Sequence, residues 1–151
     1  MTKPKKILAI ASEGGHWLQL MQIREAFDDR DTLFVTTMNG LPEESGIQKF
    51  KIIPDCNRNS KLSFVCCFCA LVHLFVLYRP NVVVSTGAMP GVLAMAIGRM
   101  AGSHTIWIDS IANAEEMSMS GRLAKYVAKS WMSQWEHVAL SSGADYAGEV
   151  L

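Results

Sequence analysis

At 151 residues, with 14 basic and 14 acidic side chains and a formal net charge of +0, the chain can bury a core of its own and carries no charge excess for a nucleic-acid backbone. Composition therefore argues against nucleic acid as a partner and favours one domain spanning 1–151. The basic start "MTKPKK" leads into a short strand-like run, unlike a secretory signal, and four cysteines, three of them in "CCFC", fit reduced, buried thiols in the cytoplasm.

In chain order, "KKILAIAS" is an apolar run of the kind that forms a parallel strand buried on both faces. From His16 to Phe27, Trp17, Leu18, Leu20, Met21, Ile23 and Phe27 recur at three- and four-residue spacings, which predicts a helix with one face on a sheet. "DTLFVTT" and "KFKIIPD" read as the second and third strands, with "MNGLPEESG" a surface loop between them. "RPNVVVSTG" is the strongest strand signal, followed by a helix with Pro90 at its first position and Gly102 as its stop. "HTIWIDS" predicts another strand, "GRLAKYVAKSW" another helix and "DYAGEV" a last short strand. This alternation specifies an α/β fold: an open, doubly wound, mostly parallel sheet of Rossmann-like type.

One segment does not fit a plain soluble domain. The residues of 62–78, "LSFVCCFCALVHLFVLY", carry no formal charge apart from a possible one on His73, and only Ser63, His73 and Tyr78 are polar. As a helix the segment spans about 26 Å, just short of the roughly 30 Å hydrocarbon core of a bilayer. Three coverings are open: a membrane surface, a partner chain, or the protein's own interior. Phe64, Val65, Phe68, Leu71, Leu74 and Phe75 are the residues expected to face membrane or partner. Cys66, Cys67 and Cys69 lack zinc-site spacing, so no metal centre is expected there.

Chemistry in an open α/β sheet lies beyond the carboxyl ends of the strands, where helix N-termini present unpaired N–H groups. Three loops qualify: "SEGGHW", "STGAMPG" and "DSIANAEEMS". Gly14 and Gly15 allow close backbone approach to an anion. Neither a G-x-G-x-x-G fingerprint nor a Gly-Lys-Ser/Thr phosphate loop is present. On the loops alone His16 is either a chemical group or a capping residue, and Asp109 either an acid of the site or an N-cap. Glu115 and Glu116 read as a solvated face, Trp131 and Trp135 as core or interface anchors.

Taken together, "SEGGHWLQL", "VVVSTGAMPGVLAMAIGRMAG", "TIWIDSIANAEEMSMSGRLAKYVAKSWMSQWEHVA" and "DYAGEVL" resemble the N-terminal, acceptor-binding half of GT-B glycosyltransferases of the lipid I N-acetylglucosaminyltransferase type. The chain most resembles the free-standing, membrane-recruiting subunit of two-chain transferases. That group includes the dolichyl-diphosphate-N-acetylglucosamine transferase and bacterial exopolysaccharide and capsule counterparts. The resemblance implies that Ser12, Gly14, Gly15, Ser85, Thr86, Gly87, Ser110 and Asn113 line an acceptor and diphosphate site, with His16 or Asp109 as the base. It also implies a donor-binding partner subunit that holds most of a UDP-sugar co-substrate, no tightly bound cofactor, a polyprenyl-diphosphate-linked saccharide as acceptor, and a cytoplasmic, membrane-peripheral location. Leu151 would lie near the join with the partner. Asp109 stands where relatives often carry Glu, and Asn113, Ala114, Glu115 and Glu116 replace a stretch that is basic in bacterial members.

Overall fold

The computed structural model describes residues 5–56 and 59–150, so the place of Leu151 lies outside the described residues. Seven parallel strands form one sheet in the order β3-β2-β1-β4-β5-β6-β7. They are β1 (Lys6–Ile10), β2 (Asp31–Thr36), β3 (Phe50–Ile52), β4 (Val82–Ser85), β5 (His104–Ile108), β6 (Ser130–Ser133) and β7 (Asp145–Tyr146). The α/β, doubly wound expectation is met, and the sheet is parallel throughout.

The helices are α1 (Gly15–Gln22), α2 (Leu41–Glu44), α3 (Lys61–Tyr78), α4 (Ala88–Met100), α5 (Met119–Ala124) and α6 (Glu136–Ser142). Alternating residues of the strands feed two cores, as period-2 side-chain geometry requires. Leu8, Ile10, Leu33, Val35 and Val83 pack with Cys67, Leu71, Leu74 and Phe75 of α3 and with Val92, Ala94 and Met95 of α4. Ile7, Ala9, Phe34 and Val84 pack on the other side with Trp17 and Leu20 of α1. Both faces of the central strands are thus covered, which explains why their sequences are apolar runs rather than alternations.

Several boundaries differ from the sequence reading. The first helix stops at Gln22, and Arg24–Phe27 continue as a 3₁₀ turn. Leu41–Glu44 form one helical turn within the expected loop. Pro90 is the third residue of α4, where its missing N–H is still outside the helical ladder. The largest difference concerns "GRLAKYVAKSW": the helix ends at Ala124 and Ser130–Ser133 form β6, because Lys129 N–H bonds Thr105 O and delivers the chain to the edge of β5. The short helix α6 had no counterpart in the sequence reading.

α3 is capped by the Ser60 hydroxyl, which accepts from Ser63 N, and ends at Arg79 in the left-handed conformation. Its inward stripe is Cys67, Leu71, Leu74 and Phe75, at helical spacings of four, three and one. Leu71, Leu74 and Phe75 were expected to face membrane or partner; they are buried against the sheet, so that expectation is corrected for these three. Phe64, Val65 and Phe68 are exposed, as are Leu62, Val72, Val76 and Leu77. Only 22% of this helix is buried, and among the described residues it is the one helix long and apolar enough to cross a membrane by length and composition. Of the cysteines, Cys56 and Cys67 are buried, whereas Cys66 and Cys69 are exposed, contrary to the expectation of four buried thiols.

Candidate functional site

The three loops expected to carry chemistry follow β1, β4 and β5, three adjacent strands, so the sheet order brings them together at its carboxyl edge. Gly14, the N-cap of α1, has φ 70° and ψ −136°, a conformation natural to glycine alone. A Cβ on Gly14 or Gly15 would meet no atom within 4 Å beyond its chain neighbours and its own helix backbone, so open space lies before this helix N-terminus. Its free N–H groups and positive dipole end suit an anion. Ser12 is half-buried beside them.

His16 is held from the neighbouring loop. Its Nδ1 lies 3.1 Å from Thr86 O, and the Thr86 hydroxyl donates to His16 O at 2.7 Å. A carbonyl only accepts, so Nδ1 carries a proton, and in the uncharged form of the ring the lone pair is on Nε2. The ring packs directly on Gly87, where a Cβ would lie 2.1 Å from Nδ1. The same turn is strained next door: Ala88 has φ 68°, unusual for a residue with a side chain.

Ser85 and Thr86 are buried, and their hydroxyls work inside the protein. Ser85 Oγ is 3.3 Å from both Gly87 O and Gly87 N, and it lies so near Gly91 that a Cβ there would approach within 2.0 Å. These two side chains therefore shape the loop from within.

Asp109 is 2% exposed at the end of β5. Its carboxylate accepts from Trp107 Nε1 at 3.0 Å, Ser118 Oγ at 2.6 Å and Ser118 N at 2.8 Å. Ser118 in turn caps α5 by accepting from Gly121 N. With both oxygens occupied, Asp109 anchors the 110–118 loop. Ser110 Oγ accepts from Gln19 Nε2 at 3.3 Å and from Ala112 N at 3.3 Å, while Asn113 is half-buried at the turn closed by its N–H to Ser110 O. Glu115 and Glu116 are exposed, with Glu116 in an ion pair with Arg122.

Sequence reasoning reads Trp131 and Trp135 as anchors but misses Gln19, Gln134 and His137, which brace this arrangement with them. The buried Gln134 donates to Gln19 Oε1 at 3.2 Å and Asp109 O at 2.8 Å, and accepts from Val150 N at 3.0 Å. It ties α1, the end of β5 and the C-terminal segment into one network. Trp135 Nε1 donates to Ile111 O and His137 Nε2 lies 2.5 Å from Ala114 O, which clamps the loop from the side. Trp131 donates to Gly121 O, so both tryptophans act as anchors. No local motif announces such pairings, since each joins positions far apart in sequence.

No protein-family model matches the chain, and no curated protein sequence does. Solved structures do match. MurG of Acinetobacter baumannii superposes with a TM-score of 0.69 at 14% identity, over 97% of this chain and 44% of that one. The UDP-GlcNAc 2-epimerase of Methanocaldococcus jannaschii, in complex with UDP-GlcNAc and UDP, gives a TM-score of 0.71 at 13% identity, over 93% of this chain and 44% of that one. The epimerase of Rickettsia bellii gives 0.70 at 14% identity, over 94% and 43%. The chain has a GT-B-type fold. It spans less than half the length of each of these structures. Within this GT-B-type sheet, the Gly14–His16 turn and the Thr86–Gly87 turn meet through the His16 ring, whereas Asp109 lies beneath the third loop as its anchor. Among the described residues no group of three His, Cys, Asp or Glu side chains is placed to hold a metal ion.

Proposed function

We propose that this chain is the acceptor-binding subunit of an inverting glycosyltransferase of polysaccharide or glycolipid assembly. It takes a polyprenyl-diphosphate-linked saccharide at the cytoplasmic face of a membrane and works with a donor-binding partner subunit that holds a UDP-sugar. The observation that carries this reading is the His16–Thr86 contact at 3.1 Å, which presents a basic Nε2 beside the open N-terminus of α1. The acceptor hydroxyl attacks the anomeric carbon, its proton passes to Nε2, and the sugar–phosphate bond breaks with its electron pair leaving on UDP. Gly14 and Gly15 at the α1 N-terminus receive the acceptor's diphosphate. Asp109 positions the 110–118 loop, and the base assignment rests on His16 alone.

The apolar outer face of α3, with Leu62, Val65, Phe68, Val72 and Val76 exposed, supports docking on a lipid surface. That face also favours a second reading: a non-catalytic recruiter that enhances a partner active without it. Transfer of radiolabelled sugar from a panel of UDP-sugars to lipid-extractable product separates the two. Membranes carrying this chain alone, the partner alone, or both are compared. Label that requires both chains supports the two-chain transferase. Equal label with the partner alone supports the recruiter, and label with this chain alone overturns both.

A further inference from the structure

Away from the three loops, a cavity of about 370 Å³ opens between α3 and the edge strand β3. Its walls are apolar: Leu33, Ile52, Ile53, Ala70, Leu74 and Leu77. Lys51 and His73 stand exposed at its rim, and Tyr78 closes one end. Among the described residues β3 pairs only with β2, so the cavity lies along an open sheet edge, two strands from β1 and about 10 Å from the strand that leads to His16. Through His73 it continues into a shallower apolar groove over Phe68, Val72 and Val76 on the outer face of α3.

We infer that this cleft binds one acyl tail of an anionic phospholipid, with the lipid phosphate at Lys51. Three observations converge on that occupant. The volume lies at the lower end of the roughly 300–1,000 Å³ of small-molecule sites, which suits one chain and not a folded partner. The charge at the rim is positive: Asp31 is paired with Lys49 and accepts from Tyr78, and among the described residues no carboxylate is ion-paired with Lys51. Lys6 lies over the Tyr78 ring at 5.1 Å and adds a second positive charge to this edge, whereas Lys49 is spent on Asp31. A lysine on an edge strand also blunts strand pairing, but that role needs no apolar cavity behind it.

The choice of a bilayer lipid rests on the docking of α3 at a membrane, since the cleft opens onto that face. The test separates the two ideas. The full chain is titrated with dihexanoyl phosphatidylglycerol kept monomeric, with zwitterionic, net-neutral dihexanoyl phosphatidylcholine as the control, while Ile and Leu methyl resonances are followed. Vesicle flotation is measured in parallel. The expected result is saturable shifts at Ile52, Ile53, Leu74 and Leu77, with Lys51→Glu weakening the anionic probe about tenfold or more, as loss of a charge-assisted contact does. Ala70→Phe, which fills the cleft, abolishes the shifts. Non-saturating shifts that include Leu62 on the exposed face of α3, or equal affinity in Lys51→Glu, overturn the proposal. Saturable probe binding without vesicle flotation upholds the cleft and removes the membrane-docking reading instead.

Discussion

The imidazole of His16 occupies the space that a side chain at residue 87 would need: a Cβ on Gly87 would lie 2.1 Å from His16 Nδ1. One substitution therefore tests the geometry of the other. His16→Ala removes the base and is expected to lower transfer by roughly 10²- to 10⁴-fold with little change in thermal stability. Gly87→Ala displaces the ring and forces φ 150° on a residue with a Cβ, so transfer falls with it and stability drops as well. Normal turnover in both variants would dismiss His16 from the chemistry.

Asp109→Ala is expected to act on stability before activity. It leaves the buried Trp107 indole N–H without an acceptor and frees Ser118, the cap of α5. Unmet buried donors cost about 1–3 kcal/mol each, so a loss of about 3 kcal/mol is expected in urea unfolding. Unchanged stability would contradict the anchoring role.

On α3 the two faces are expected to respond oppositely. Val65→Glu with Phe68→Glu, both on the exposed side, should abolish vesicle flotation while the unfolding midpoint stays nearly constant. Leu71→Glu places a charge at a site with 0% exposure and should prevent folding. Flotation retained in the double variant would detach α3 from any role at a lipid surface.

The four thiols are expected to divide into two and two. Cys66 and Cys69 are exposed and should react with an alkylating probe at once, whereas Cys56 and Cys67 wait for unfolding. Burial first, and the neighbouring Cys56 and Asp55 next, push the Cys67 thiol up to about 12 from 9.0. Burial and the charge of Asp31 raise Tyr78 too. Folded values above the unfolded ones mean that the neutral forms stabilise the fold below about pH 9, and that this contribution is lost as pH climbs toward about 12. Denaturant midpoints measured across that range should fall steadily; a flat profile would contradict the assignment.

Ala88→Gly is expected to raise stability by about 1 kcal/mol, because φ 68° carries a penalty for alanine that glycine does not share. A lower unfolding midpoint in this variant would show that the turn is relaxed as it stands.

The strands β1, β2, β4 and β5 were legible because burial on both faces writes itself as an unbroken apolar run. β6 was not: "SWMS" follows a helical pattern, and only its pairing with Ile106, Trp107 and Ile108 makes it a strand. In α3 the apolar character was plain, but a helix apolar all round carries no periodic signal for its inward side, so Leu71, Leu74 and Phe75 were assigned outward. At the site, Gly14, Gly15 and His16 were visible as a motif. The buried engagement of Ser85, Thr86 and Asp109 was not, since it depends on partners that reach them only through the sheet order.

That order also sets a schedule for synthesis. Lys6 N–H bonds the Asn81 side chain across 75 positions, and β1 cannot acquire β4 until that stretch has left the ribosome. At about 5–20 residues per second, the flank of β1 that β4 will cover waits for seconds without its final neighbour. Parallel pairing at such separation is slow for the same reason. Nascent chains of this protein therefore carry uncovered apolar surface through the interval between β3 and β4.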